Sequence, residues 1–407
     1  SSLYRKLINL YKAGLLTGLR TSGLNINSNL FHGISDIAKD VPASAVDSVV
    51  SLFTGKRTVV FTLRGGKGIF EGFRKGFRYV KTGFDERDIA AKLDYKRVHF
   101  GKSLIARGLQ AYEEGIFRII GAEDQPFYYG AKAHSLFSQA IAQAKNAKLR
   151  GIDAKKFVDN LVQNPTDEML RYAVNDAEVA VFQNRTTLGR AAQAFQKVPL
   201  GEVVVPFART PSAVITQVLN YSPVGIVKTI VENIGKGRFN QRLFSQGIGR
   251  GITGTAALYI GMELWKKGMV SLNRPESETE RKQWELEGRT ANSIKIDGKW
   301  RSPFVLGPMG NLLIIGGHVQ KGIENTGSFS QGLNNAMESL AGVGKSFTEQ
   351  TFLKGVNQFS QAINDPGSYG PSLASNLMGS TIPTIISDIA RAKDEFERQT
   401  YAKEAGI

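Results

Sequence analysis

Along most of the chain, apolar residues recur three and four positions apart, the spacing of one face of an α-helix. Leu3, Leu7, Leu10 and Tyr11 set the pattern over 2–17, and it predicts further helices over 29–39, 44–53, 68–81, 103–120 and 128–149. Val41-Pro42 separates the second from the third, because a proline disfavours helix in the residue before it. Asp153 reads as the cap of a short helix through Val162. Asn164-Pro165-Thr166 breaks that helix, and Thr166 opens a long one to about Lys197. The run Leu200 to Arg209 is β-branched and contains Pro206, so it reads as an extended segment outside any central strand. Thr210-Pro211 and Ser222-Pro223 each read as an N-cap followed by the first helical residue. They open helices to about Asn220 and Ile234. Long helical periodicity resumes over 241–269, and 277–287 is a short charged helix.

One segment breaks the helical pattern. Residues 293–301 alternate apolar and polar around Asp297-Gly298, a strong signal for a β-hairpin. Beyond it, 309–397 is helical again, punctuated at Asn325–Gly327, Asp365–Gly367 and Ile382-Pro383. The expected fold class is all-α: an irregular multi-helix array with one inserted β-hairpin near 293–301. Four regions follow. They are an N-terminal helical region (1–150), a central long-helix region (151–270), a hairpin-containing insertion (271–325) and a C-terminal helical region (326–407).

Composition narrows the chemistry. Lys and Arg number 52 against 36 Asp and Glu, a formal charge of +16, which implies an anionic partner, either nucleic acid or a membrane surface. There is no cysteine, so disulfides, thiolate metal sites and a thiol nucleophile are excluded. His32, His99, His134 and His318 lie far apart and form no local metal motif. The opening Ser1-Ser2 reads as a processed product or a piece of a longer polypeptide, and the first residues lack the apolar run of a signal peptide. Residues 302–320 carry no Asp, Glu, Lys or Arg and have the length of a marginal membrane span. Pro303, Pro308 and four glycines instead favour a buried segment, with Trp300 and Phe304 packed near the hairpin. The apolar stretch 251–264 suits a core or interfacial helix.

Catalytic patterns are weak. Ala341-Gly-Val-Gly344-Lys345-Ser346 resembles a phosphate-binding loop, but Ser339 stands where the first glycine belongs and no strand precedes it. The pairs Glu113-Glu114 and Glu123-Asp124 have no His or Ser at a spacing that implies acid–base work. The expectation is a non-enzymatic protein with no catalytic residue, metal or cofactor.

The sharpest signal is 56–81, with eight basic residues and one acid, Glu71. At about 100° per residue, Ile69, Phe70, Phe73, Phe77 and Val80 share one face, and Arg74, Lys75, Arg78 and Lys81 the other. With Arg64 and Lys67 just upstream, these four basic residues are the candidate nucleic-acid or anionic-surface site. Three readings of the helix stay open. The Phe face packs on neighbouring helices and the basic face is merely solvated; the basic face tracks DNA phosphates; or the Phe face enters a membrane interface over anionic headgroups.

The order of short blocks resembles a module of large tailed-bacteriophage proteins, the large polyvalent and internal virion (ejection or capsid cargo) proteins. The blocks are Leu15-Leu16-Thr17-Gly18-Leu19-Arg20-Thr21, Asn29, Thr54-Gly55-Lys56-Arg57, the Gly-rich helix from Gly65 to Thr82-Gly83, Ala122 to Tyr128, and Asn164-Pro165-Thr166. Most specific are Pro206-Phe207-Ala208-Arg209-Thr210-Pro211 with Ser222-Pro223-Val224-Gly225. Gly288, Ser293 to Ile296, Gly298-Lys299-Trp300 and Pro308-Met309-Gly310 close the series. Ser212-Ala213 and Asp124-Gln125-Pro126-Phe127 depart from the family pattern. The resemblance carries no active site. It implies a helical protein packaged in the virion and delivered with the genome into the host cell envelope, helping DNA cross it. Its partners would be phage DNA, other virion proteins or copies of itself, and the host membrane. A delivered cargo that binds or protects phage DNA in the host cytoplasm, antirestriction-like, is the alternative.

Overall fold

The computed structural model describes residues 3–85, 94–197, 201–235, 237 and 239–328. Helices dominate it, as the periodicity predicts. In the N-terminal half they are α1 (Leu3–Leu16), α2 (Leu19–Ala38), α3 (Asp40–Thr54), α4 (Gly66–Thr82), α5 (Leu104–Glu123), α6 (Gln125–Asn146), α7 (Gly151–Gln163), α8 (Asp167–Ala180) and α9 (Thr187–Phe195). After the single turn α10 (Gly201–Val204) come α11 (Arg209–Asn220), α12 (Pro223–Ile230, extended by a π-turn, Val231–Gly235) and α13 (Gln241–Lys266). Strand β1 (Val270–Ser271), the charged helix α14 (Glu278–Leu286), strands β2 (Ser293–Ile296) and β3 (Lys299–Arg301), and α15 (Gly307–Thr326) complete it. The phosphate-loop resemblance at 341–346 and the helices expected beyond 328 lie outside the described residues.

The hairpin turns at Asp297-Gly298, both with positive φ (49° and 73°), the conformation a tight two-residue turn requires. A third strand joins it. β1 pairs antiparallel with β2, matching Val270 to Ile294, and so stitches the hairpin to the end of α13. Two residues are too short a run to show any period in the sequence. Val270 and Ile294 enter the largest apolar cluster with Tyr221, Leu312, Ile314 and Ile315. Burying each aliphatic side chain there contributes roughly 1.5–3 kcal/mol.

The apolar stretch 302–320 is that cluster's central element, and α13 packs along it through glycines. A Cβ on Gly261 would lie 2.1 Å from the Leu313 carbonyl oxygen, and one on Gly316 2.0 Å from that of Leu258. Phe304 is the exception to the expected packing. It lies against Phe182, Ala213 and Val214, away from the hairpin. Trp300 stays on the hairpin, where the Arg289 guanidinium sits between the rings of Trp284 and Trp300, 4.5 and 4.7 Å from their centres.

Five expectations are corrected, the last three by long-range contacts. Pro42 does not separate two helices. α2 already starts at Leu19 and meets α3 at Lys39, and Pro42 falls at the third position of α3, where no intrahelical N–H bond is lost. Asp153 is inside the first turn of α7 rather than its cap, which is Arg150. The helix expected from Thr166 to Lys197 is broken between Ala180 and Thr187. There Phe182 takes a left-handed backbone (φ 56°) and stacks on His32 at 4.6 Å, and Thr186 caps α9 through the Gly189 N–H. The segment from 201 to 204 is helical rather than extended, held by Glu202 to Arg5 at 2.6 Å. Finally, α11 begins at Arg209, one residue before Thr210. Its N-terminus is met by the Asp94 carboxylate, which accepts from the N–H groups of Ala208 (2.6 Å) and Arg209 (3.3 Å).

A charge network is buried where α2, α3, α6, α8 and α13 meet. Lys39 lies 3.1 Å from both Asp36 and Asp40. Asp40 also meets His134 at 3.0 Å, and Asp176 meets Arg242 at 2.8 Å and accepts from Ser135. Burial pushes the Asp40 carboxyl up, but Lys39 and His134 outweigh it and hold the group down at about 2. The carboxylates stay ionised because cations are buried beside them.

Candidate anionic-surface site

Residues 57–72 run antiparallel along α6, and the rest of α4 continues along the end of α5. Near one end, the Arg57 N–H donates to Asn146 (2.7 Å), and Asn146 donates back to the Arg57 carbonyl. Further on, Ser138 bonds the backbone of Val60. Gly65 then meets Gly130 and His134, Gly68 meets Tyr129, Gly72 meets Gln125, and Gly76 meets Ala122 at the end of α5. Spaced four apart, Gly68, Gly72 and Gly76 form the buried face of α4. A Cβ at Gly68 or Gly72 would sit 2.2 or 2.3 Å from a carbonyl oxygen, so only glycine allows this approach.

This seating fixes the other two faces. Next to the glycines round the helix come Ile69, Val80, Phe73, Phe77 and Phe70, and beyond them Lys81, Arg74, Lys67 and Arg78. All nine are exposed, Phe70 by 77 % and Phe77 by 78 %. The reading in which the Phe face packs on neighbouring helices is therefore overturned: the face inside is glycine. The spacing of Gly68, Gly72 and Gly76 was visible in the sequence, but without the close contact to α6 it did not outrank three phenylalanines.

The six basic candidates divide. Lys67, Arg74, Arg78 and Lys81 line the outer basic face. Arg64 is exposed just before the helix, its guanidinium 5.6 Å from the Phe137 ring centre. Lys75 turns inward: it donates to the Tyr129 hydroxyl (3.0 Å), lies 4.2 Å over that ring and pairs with Glu71 at 3.3 Å. Its role is to pin α4 to α6.

Two other polar places lie apart from α4. A cleft of about 490 Å³ opens between α3, α6, α8 and the start of α13. Four of its amides are engaged by the protein itself: Gln139 with Met169, Asn146 with Arg57, Asn240 with Tyr172, and Gln241 with Asp47. The pair Glu113-Glu114 is split. Glu114 faces Arg97 and Arg118, whereas Glu113 is buried and accepts from Asn9 (2.6 Å) and Tyr95 (3.1 Å). Burial pushes the Glu113 carboxyl up to about 7, against the pull of those two donors. Among the described residues no group of three or more His, Asp or Glu is placed to hold a metal ion. Nor is any single described helix long and apolar enough to cross a membrane, although α11 and α12 with its π-turn, bent by 86°, have the composition of a broken span. Comparison with protein families, characterised proteins and solved structures finds no match.

Proposed function

We propose that this chain is a non-enzymatic delivery protein of the phage internal-virion type, and that it attaches to an anionic surface of the host envelope through α4. The observation that carries the reading is the outward aromatic row of α4 beside an outward basic row. An interfacial helix needs both, with rings entering the acyl boundary and cations meeting phosphate headgroups. The resemblance to ejection and cargo proteins supports the setting, a protein carried in the virion and then released to the envelope.

A second reading rests on the basic row alone. Arg64, Lys67, Arg74 and Lys81 are exposed and would serve duplex phosphates equally well, as a DNA-binding cargo requires. Co-flotation with vesicles containing phosphatidylglycerol, beside a salt titration on duplex DNA, tests both. The lipid reading expects flotation that Phe70→Ser with Phe77→Ser abolishes. The DNA reading expects that pair to leave binding intact. It also expects Lys67→Gln with Arg74→Gln to reduce the log–log salt slope by about 1.8, at about 0.9 per lost phosphate contact. Flotation that ignores the Phe pair sinks the first reading, and an unchanged slope sinks the second.

A further inference from the structure

At the far end of the same strip lies a second apolar cluster. Leu52 and Phe53, in the last turn of α3, are 81 % and 86 % exposed. The next residue, Thr54, donates to Gln241 (2.7 Å), and Gln241 donates back to the Lys56 carbonyl (2.8 Å), so the end of α3 abuts the start of α13. That start carries exposed Phe239 and Leu243, with the Phe239 ring packed on Phe244 at 5.5 Å. Between this corner and α4, exposed Phe61 and Leu63 continue the line, while Val59 and Val60 point inward.

We infer that this α3–α13 corner is a second insertion point for the same anionic lipid surface, resting on the reading of α4 given above. Three observations favour lipid as the occupant. Exposed Phe61 and Leu63 lie along the chain between the corner and the α4 face. The strip spans the length of α6, about 33 Å for 22 residues. And from Ser48 to Phe84 the sequence holds eight basic residues and the single acid Glu71. A second copy docked on this strip would oppose like charges, whereas anionic headgroups complement them. Two contacts on a strip that runs the length of α6, about 33 Å, bind a flat surface with avidity: once one is seated, the other is held at high effective concentration.

The absence of cysteine makes the test direct. Phe53→Cys, Phe73→Cys and, as a control on α14, Leu286→Cys are each labelled with a polarity-sensitive fluorophore. Each is then mixed with phosphatidylglycerol-containing vesicles carrying shallow spin-labelled lipid. The expected result is a blue shift and quenching at positions 53 and 73 and silence at 286. In addition, Leu52→Ser with Phe53→Ser should weaken vesicle affinity at least fivefold with the melting temperature unchanged. A response at 73 with silence at 53 overturns the second insertion point and leaves the α4 reading standing. Silence at both overturns both. A label at 53 that is blue-shifted before vesicles are added means that protein covers the corner, and that too overturns the inference, as does an unchanged affinity in the double variant.

Discussion

Helices α4 and α15 are both glycine-rich and both carry a row of large apolar residues, yet they end in opposite places. In α15 the apolar row (Leu312, Leu313, Ile314, Ile315 and Val319) is buried, with helices on more than one side. In α4 only the glycines are buried, and the phenylalanines face out. Hydrophobicity does not distinguish them. What differs, among the described residues, is the number of partners. α15 is covered by α13, by α2 and by the three-stranded sheet, whereas α4 rests on the surface formed by α5 and α6. A helix with one seat buries one stripe. Where that stripe is glycine, backbone approach takes the place of side-chain burial, and the apolar row is left for something else.

Substitutions should separate the two helices. The largest effect is expected for Gly261→Leu, which drives a side chain into the α15 backbone; loss of about 3 kcal/mol or more, read by chemical denaturation, is expected. Gly72→Val should instead detach α4 alone, seen as fast amide exchange over 66–82 with the rest of the protection pattern kept. Global unfolding by Gly72→Val would make α4 as integral as α15 and end the comparison. Next, Leu312→Ala should cost about 2–5 kcal/mol, because its site is fully enclosed. Phe77→Ala should change stability by no more than about 0.5 kcal/mol, because its ring is mostly in solvent. Equal costs in the two melts would contradict the exposure of the Phe face.

Smaller effects come from pH. In α15, burial pushes His318 down to about 4, with Lys321 adding to the shift. The unfolded chain then binds more protons between about 4 and 6.5, so stability is present above pH 6.5 and is lost as pH falls toward 4. His32, also lowered to about 4 by burial, acts in the same sense. Glu113 acts in the opposite sense. With its pKa raised to about 7, the folded state holds the extra proton, so its contribution is present below about 4.5 and is lost as pH rises through 7. Thermal melts from pH 4 to 8 should therefore show a broad maximum. His318→Gln should lift the acid limb and Glu113→Gln the alkaline limb; a limb that does not move removes that group from the account. Smallest of all, Lys67→Gln, Arg74→Gln and Lys81→Gln should leave the melting temperature unchanged, since each side chain is exposed.

Much of this was legible from local signals. Helix type, the Thr166 cap, the Ser222-Pro223 start and the Asp297-Gly298 turn all follow from residues close in sequence. Pro42 and Asp153 were misread by a few residues at helix ends, whereas the larger misreadings have distant causes. The carboxylate at the start of α11 is Asp94, over 100 residues upstream. The break after Ala180 serves a stack on His32. Of the candidate site, the aromatic and basic rows of α4 were visible as periodicity. Lys75 was not separable from its neighbours, because only Tyr129 on α6 makes it a tether.

The chain's own pattern decides that it is helical, basic and without thiol chemistry, since propensity, charge and turn geometry act over a few residues. Which face of a helix is inside is a different kind of fact. It depends on whether another backbone comes within about 4 Å of a glycine stripe, as α6 does at Gly68 and Gly72. It also depends on whether a cation arrives from elsewhere, as Arg242 does, to keep Asp176 ionised in the interior. Both are settled by atoms far apart along the chain, so only the tertiary structure turned the phenylalanines of α4 outward.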